Sequence, residues 1–464
     1  MNLNLAEVET CLTGAAVTPG AVAVNIAGAR TDSRLVGPGD LFFCITGERM
    51  DGHNFAVEAA RRGAAAIVAE RLVDAGDAPV LMVRDSVQAL GRLARCLREK
   101  TSAKVVAVTG SAGKTTVKEL LASLLSVSMP VSRNPGNFNN QIGVPLSIFE
   151  AGQNDGAWVL EAGISKPTDM DELGFIIAPD VAVLTNVAAA HTQGLGDLRG
   201  VAKAKARLLA HLREDGRALV CSDYPELWEQ AVALRPDAMA YSAQDPGADV
   251  SCHYLGSQAG ENGRLAGRFA LKLPTFSAEL DLGFTGRHFA ENIAAAAGAA
   301  FILGLSSEDI LKGLSRAEPC AQRFCQRKVA GVTLVDDTYN ANPLSMERAI
   351  QAARELAGRG PLVLVLGEML ELGELARVEH ENLGRFSAMA EPDMVLFHGE
   401  HAGSVARGLE LAGRPGVFAE AGTPDAAARR LAALELEGGV VLFKGSRGRR
   451  METFLAAATE SLGR

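Results

Sequence analysis

Residues 105–125 read VVAVTGSAGKTTVKELLASLL, and this stretch decides the fold. A continuous apolar run, Val105–Val108, meets a Gly-bearing turn. A helical pattern then opens at Thr115, with Val117, Leu120, Leu121 and Leu124 on one face. Strand, turn and helix in that order make a phosphate cradle, because backbone N–H groups and the positive end of the helix face the anion. Lys114 reaches the β/γ oxygens, and the Thr115 hydroxyl is placed to ligate Mg²⁺. Gly110 and Gly113 let the backbone approach phosphate without a Cβ in the way. The expected nucleotide loop is therefore Gly110, Ser111, Ala112, Gly113, Lys114, Thr115 and Thr116. The commoner pattern has Gly six residues before the Lys; Val108 stands there, so this is a shortened TGSAGKTT form. The competing reading is an ordinary strand–helix turn, and GKTT after a β-run weighs against it.

Working outward, short β-branched runs alternate with Ala/Leu-rich helical patterns. Expected strands are Val105–Val108, Trp158–Leu160, Val181–Leu184, Ala218–Cys221, Val332–Val335, Leu362–Leu366, Met394–Phe397 and Val440–Phe443. Most are continuous rather than alternating in hydrophobicity, which favours parallel sheets covered on both faces. The fold class is α/β, built from βαβ units. Three domains are expected: 1–98, 99–318 with the P-loop on a mostly parallel sheet, and 319–464. The segment 242–285 differs: LKLPTF and AELDLGF suggest an antiparallel patch inside the central domain.

Composition narrows the function classes. The length of 464 residues suits two to four domains, and 48% hydrophobic against 22% charged residues excludes wholesale disorder. A net charge of −9 argues against a nonspecific nucleic-acid binder, though not against one small anion in a local pocket. The seven cysteines show no CxxC spacing, so neither a zinc site nor a disulfide framework is expected. The start, MNLNLAEVETCLTG, lacks a signal-peptide pattern, and IAAAAGAAFILGL at 293–305 is too short to span a bilayer. A soluble, reduced, cytoplasmic protein without membrane insertion is the expectation.

Three further residues extend the loop's chemistry. Glu161, in LEAGIS, and His191, in LTNVAAAHTQGLGD, both follow expected strands, where ligands bind in open α/β sheets. A carboxylate holds Mg²⁺ and an imidazole can hold a second divalent ion. Taken singly, each would read as an ordinary capping or loop residue. Residues 201–212 have helical spacing, with Val201, Ala204, Leu208, Leu209 and Leu212 as one stripe. At about 100° per residue Lys205 falls within that stripe and Lys203 opposite it. Spacing alone favours a snorkelling Lys205. A buried, less basic amine could instead react with CO₂ and become an anionic metal ligand.

Taken together, the chain resembles the Mur ligase superfamily. The stretches that carry the resemblance are TDSRLVGPGDLFFCITGERMDGHNF (31–55), TGSAGKTTVKE (109–119), NPGNFNNQIGVPLSI (134–148), LEAGIS (160–165) and LTNVAAAHTQGLGD (184–197). They continue with GRHFAENIAAAAGAA (286–300), VDDTYNANPLSM (335–346), LGEMLELGE (366–374), HEN (380–382) and KGSRGRRME (444–452). NFNNQIGVP, DDTYNANP and GEMLELGE resemble the branch that joins D-Ala-D-Ala to UDP-MurNAc-tripeptide.

The resemblance implies an N-terminal UDP-substrate domain, a central ATP-binding domain and a C-terminal Rossmann-like domain. It implies an ATP-dependent, Mg²⁺-requiring amide ligase of peptidoglycan precursor synthesis in the bacterial cytoplasm, acting through an acyl phosphate. A monomer and no nucleic-acid partner are expected. By the same resemblance Lys114, Glu161, His191 and Lys205 are catalytic. Thr115 and Glu161 suit a first metal ion, and His191 with carbamylated Lys205 a second. Asn292, Arg323 and Asp337 match positions for adenine, phosphate and ribose, with Arg327 and Asp336 as rivals to the last two. Ser33, Arg34, Thr46, Asp51 and His53 are candidates near UDP, and Asn137, Asn139 and Asn140 near the muramoyl-peptide limb. Either set could equally be turn chemistry, since Asp, Asn and Gly dominate turns. The third domain is expected to receive D-Ala-D-Ala, near Lys444–Arg447, with no roles assigned. Alternative readings are a sister ligase adding the third amino acid, a folylpolyglutamate-synthase relative, or a non-enzymatic P-loop switch.

Overall fold

A computed structural model describes residues 3–13, 25–188, 197–259 and 265–463. The central sheet has nine strands. In spatial order they are Phe276–Leu282, Leu265–Leu273, Val250–Ala259, Met239–Ser242, Arg217–Cys221, Val181–Leu184, Lys104–Thr109, Ala157–Glu161 and Val131–Arg133. The first three pair antiparallel and every other neighbouring pair is parallel. Their burial follows the two sequence patterns. Ala157–Glu161 is buried at every position, whereas Leu265–Leu273 alternates between buried and wetter positions from Gly267 onward. The antiparallel patch foreseen at 242–285 is this three-stranded extension.

The strand Lys104–Thr109 lies between two parallel partners in nearly the same register. Val106 pairs with Val159 on one side and with Val181 on the other. All three strands therefore end together, and the residues just beyond them emerge at one edge of the sheet. That edge carries the turn after Thr109 and the side chain of Glu161 at the end of its own strand.

A six-stranded sheet follows in the third domain. Its order is Cys325–Val329, Val332–Asp337, Val440–Lys444, Leu362–Gly367, Met394–His398 and Phe418–Glu420, parallel except for the first pair. The first domain has a four-stranded parallel sheet spanning residues 29–82 and a two-stranded antiparallel one.

The helix Ser86–Lys100 joins the first domain to the second. Its apolar stripe, Ala89, Leu90, Leu93 and Ala94, shares a buried cluster with Val105, Ala107, Leu160 and Ala182 of the central sheet. Arg98 is fully buried there, donating to the carbonyls of Ile177 and Ala178 and pairing with Asp180 at 2.7 Å. The expected boundary at residue 98 lies on this helix. On the opposite side, one buried cluster runs from Val106 through the helices Lys114–Leu125 and His288–Ile302 to Met346, Ala349 and Ile350 of the third domain.

Two expectations need correction. No disulfide was expected, yet Cys11 and Cys96 form one, with Cα atoms 6.3 Å apart, between the helices Leu5–Thr13 and Ser86–Lys100. The pair is 85 residues apart in sequence. Helix packing brings it together, and no local spacing encodes it. The single helix expected over 201–212 is an α-helix, Leu198–Ala206, followed by a 3₁₀ turn, Arg207–His211. Lys205 is buried on it and Lys203 exposed, as the stripe predicted.

Candidate active site

The turn after Lys104–Thr109 is shaped by its neighbours. The Thr109 hydroxyl donates to Ala162 O at 2.9 Å, and the Ser111 N–H donates to Asn186 O at 3.0 Å. A Cβ on Gly110 would sit 1.9 Å from Thr185 Oγ1, so no side chain fits. Gly113 has φ +80°, which glycine tolerates and other residues resist. It leads directly into the helix Lys114–Leu125. The first turn of that helix opens into a cleft of about 930 Å³.

All three domains line the cleft. The first contributes Glu48. The central domain contributes Ser111–Thr116, Glu161, Lys205 and Asn292. The third contributes Arg323, Asp337, Tyr339, Lys444 and Arg447. Thr115 Oγ1 donates to Glu161 Oε2 at 2.7 Å and accepts from Arg323 Nη2 at 2.9 Å. Arg323 also lies over the Tyr339 ring, 4.0 Å from its centroid. Glu161 is held on two sides. Asn139 Nδ2 donates to Oε1 at 2.8 Å, and the amide of Asn134 bonds both its backbone N–H and its carbonyl.

The electrostatics favour an anionic guest. Lys114 donates to the carbonyl of Gly110 at 2.7 Å. Burial lowers its pKa, Glu161 opposes that shift, and Arg323 adds to it. The Lys205 pKa is lowered well below that of an ordinary lysine, first by burial and then by the charge of Lys114. A basic group kept this dry, in contact with a cleft, is a candidate functional residue.

Polar groups in the cradle are incompletely used. Asn292 Oδ1 is buried without a partner among the described residues, and it lies where a Gly113 side chain would be. Lys444 Nζ pairs with Asp337 Oδ2 at 2.6 Å and donates to Asn340 O at 3.1 Å. A hydroxyl beside a carboxylate, Thr115 with Glu161, is a donor set for a hard divalent cation. The sequence left Asp336 and Asp337 as rivals. Asp337 lines the cleft, while Asp336 bonds the Thr338 hydroxyl at 2.6 Å. Likewise Arg323 enters the cleft and Arg327 is exposed on Cys325–Val329.

The other candidates fall differently. Asn137, Asn139 and Asn140 line the cleft, though Asn140 Oδ1 also accepts the backbone N–H groups of Ile142 and Gly143. His191 lies outside the described residues. The five first-domain candidates do not line the cleft. Ser33 Oγ donates to Glu58 at 3.1 Å, and Arg34 pairs with Asp32 at 2.6 Å. Thr46 donates to Asp51 Oδ1 at 3.3 Å. His53 is buried, its Nδ1 on Asp51 Oδ1 at 2.6 Å and its Nε2 accepting the Glu70 N–H at 3.1 Å. The His53 backbone and ring N–H groups hold the Asp51 carboxyl below the usual carboxylate range.

Sequence reasoning missed several residues that build this site. Asn134 and Asn186 hold Glu161 and the loop, and Tyr339 carries Arg323. Each sits inside a quoted motif, but nothing in its residue type separates it from a turn former.

Comparisons with known proteins agree across the whole chain. Residues 25–97 match the Mur ligase family catalytic domain, 108–300 the Mur ligase middle domain, and 322–447 the Mur ligase glutamate ligase domain. The chain is 33% identical over 443 residues to UDP-N-acetylmuramoyl-tripeptide–D-alanyl-D-alanine ligase of Bacillus subtilis, covering 94% of each. It is similar to the crystal structure of MurF from Acinetobacter baumannii, with TM-score 0.86, 32% identity and 98% of each chain covered. A Thermotoga maritima MurF ligase in complex with ADP aligns with TM-score 0.84 and 32% identity, over 95% of this chain and 98% of that one.

Proposed function

The chain belongs to the Mur ligase family, and from that premise we propose that it joins D-Ala-D-Ala to UDP-MurNAc-tripeptide at the cost of ATP. The observation that carries this reading is the meeting, in one cleft, of the phosphate loop, Glu161 and Lys205 with Arg323, Asp337 and Lys444 of the third domain. A nucleotide switch needs no second domain against its loop, whereas a ligase must hold a nucleotide and two further substrates.

In this reading the terminal carboxylate of the tripeptide attacks the γ-phosphorus. A P–O bond forms, the bond to ADP breaks, and an acyl phosphate results. The amine of D-Ala-D-Ala then attacks the acyl carbon, an amide C–N bond forms, phosphate leaves, and the amine gives up a proton. Two anions must meet in the first step. Lys114 neutralises the γ-oxygens, and Arg323 adds charge from across the cleft. Asn292 binds adenine, supported by its Oδ1, which has no partner among the described residues. Asp337 binds ribose, exchanging its contact with Lys444 for sugar hydroxyls.

Thr115 and Glu161 would hold Mg²⁺, and carbamylated Lys205 with His191 a second ion; such cations supply charge neutralisation at the phosphates. Asn137, Asn139 and Asn140 hold the muramoyl-peptide limb. Residues 1–98 take the UDP end, 99–318 ATP, and 319–464 the dipeptide. Seating of the third domain on the loop keeps water from the acyl phosphate. ATP and UDP-linked sugars are cytoplasmic solutes, so the cytoplasm is the working compartment. Among the described residues no helix is long and apolar enough to cross a membrane.

The test is phosphate release from ATP with UDP-MurNAc-tripeptide, with and without D-Ala-D-Ala. Sustained release that requires the dipeptide is expected. Release indifferent to it would overturn the assignment, and release with a single amino acid on a dipeptide precursor would favour a sister ligase.

A further inference from the structure

Between the central and third domains lies a buried ion pair for which the chemistry above has no use. Arg348, on the helix Pro343–Ala357, reaches across to Glu291 on His288–Ile302, and its Nη2 also donates to the Tyr224 hydroxyl. Tyr224 in turn donates to Glu291 Oε2 at 3.0 Å. The side chains of Glu291 and Arg348 are 4% and 17% exposed, so each charge depends on the other. Burial works against the guanidinium charge, but Glu291 and Tyr224 outweigh it and lift the Arg348 pKa above its ordinary value.

The other carboxylate oxygen leads to the phosphate loop. Glu291 Oε1 accepts from Asn186 Nδ2 at 2.6 Å. Asn186 grips Ala112 with both ends of its amide: Oδ1 accepts the Ala112 N–H at 2.7 Å, and Nδ2 donates to the Ala112 carbonyl at 3.0 Å. A carboxylate only accepts, so it requires the NH₂ end of Asn186 on its side. That leaves Oδ1 facing the Ala112 N–H. Reversing the amide would set donor against donor at Ala112 and acceptor against acceptor at Glu291.

The helix that carries Arg348 touches the loop a second time. Its cap, Asn342, donates from Nδ2 to Ser111 O at 2.9 Å. One rigid helix of the third domain therefore contacts the loop directly at its start and indirectly through Arg348.

We propose that Arg348 and Glu291 are positioning residues that make the conformation of the phosphate loop depend on the seating of the third domain. When that domain is in place, Arg348 holds Glu291 as an acceptor, Glu291 sets the Asn186 amide, and Asn186 holds Ala112. Nucleotide affinity then rises with domain seating; Arg348 also lines the cleft, but its guanidinium bonds run to Glu291 and Tyr224. The inference rests on the reading of this loop as the nucleotide site.

The test is ADP binding by calorimetry to the full chain, as wild type and as Arg348→Met, Arg348→Lys, Glu291→Gln and the Arg348→Met/Glu291→Gln double variant. Each single neutral variant should weaken ADP by about tenfold or more, and the double variant no more than the worse single one, because both break one chain of contacts. Arg348→Lys should fall between. Amide exchange in residues 109–116 should quicken in the same order, while UDP-MurNAc-tripeptide affinity stays within about twofold, since the hydrogen bonds of Arg348 and Glu291 run to Tyr224 and Asn186 and not to the residues proposed to hold that substrate.

A pair with only a structural role would lower the melting temperature and leave ADP affinity alone, and that result overturns the proposal. So do losses that multiply in the double variant, or an equal loss of UDP-substrate affinity. If the neutral variants do not fold, Arg348→Lys decides: wild-type ADP affinity and wild-type amide exchange in it overturn the proposal. A wild type that binds no ADP instead overturns the reading of the loop itself.

Discussion

The central cleft and the first domain carry the same kinds of polar residue but differ in burial and in how completely those residues are engaged. Around the phosphate loop, Lys114 and Lys205 are desolvated, and Asn292 Oδ1 is buried with no partner among the described residues. In the first domain, Ser33, Arg34, Thr46, Asp51 and His53 each already bond a neighbour. A buried polar group left unsatisfied costs free energy, so one that lines a cleft, as Asn292 does, is a candidate ligand contact. The difference separates groups left open beside the cleft from groups already engaged locally, which residue type does not do.

The comparison can be broken most severely at the loop. Lys114→Ala should lower kcat by about 10³-fold or more, since it removes the cation nearest the developing charge. Steady-state phosphate release checks this, and near-wild-type turnover would end the loop's catalytic role. Lys205→Ala should cost about 10²-fold, with part of the activity restored by a short carboxylic acid that replaces a carbamate. Absence of any rescue would leave Lys205 as a plain buried lysine.

Gly110→Ala should cost about 10²-fold in kcat/KM for ATP, because the new Cβ would meet Thr185 Oγ1 and displace the loop. A wild-type KM for ATP would show that the loop yields freely. The two adjacent aspartates sharpen the contrast on a smaller scale. Asp337→Asn should raise KM for ATP by about tenfold, and Asp336→Asn, which faces Thr338, by about twofold at most. Equal effects would remove the ribose assignment.

The smallest effect belongs to the first domain. Asp51→Ala should lower the thermal midpoint by releasing the His53 turn, while KM for ATP stays within about twofold. A selective rise in KM for UDP-MurNAc-tripeptide, with unchanged melting, would show that Asp51 binds substrate after all.

Much of the site was legible because its geometry is local. TGSAGKTT places a glycine turn against a helix start, and three strands of continuous apolar residues end in register beside it. The place of Lys205 was also readable, because helical spacing over a few residues sets a face. Its position beside Lys114 was not, since that depends on how Leu198–Ala206 packs against the sheet edge. Nor could alternation separate Asp336 from Asp337: adjacent strand residues point to opposite faces, and which face meets the cleft is set by domain packing.

Long-range pairings lie beyond any local pattern. Cys11–Cys96, Arg98–Asp180 and Arg348–Glu291 each join residues more than fifty positions apart, and each depends on how a helix packs against another part of the chain. The sequence alone established an α/β chain with a phosphate loop and a known family of motifs, because backbone preferences and hydrophobic period act over a few residues. Which polar groups line the cleft, and which are bonded within local turns, was decided in three dimensions. A hydrogen bond takes whichever partner the packed chain brings within about 3 Å, whatever its distance in sequence.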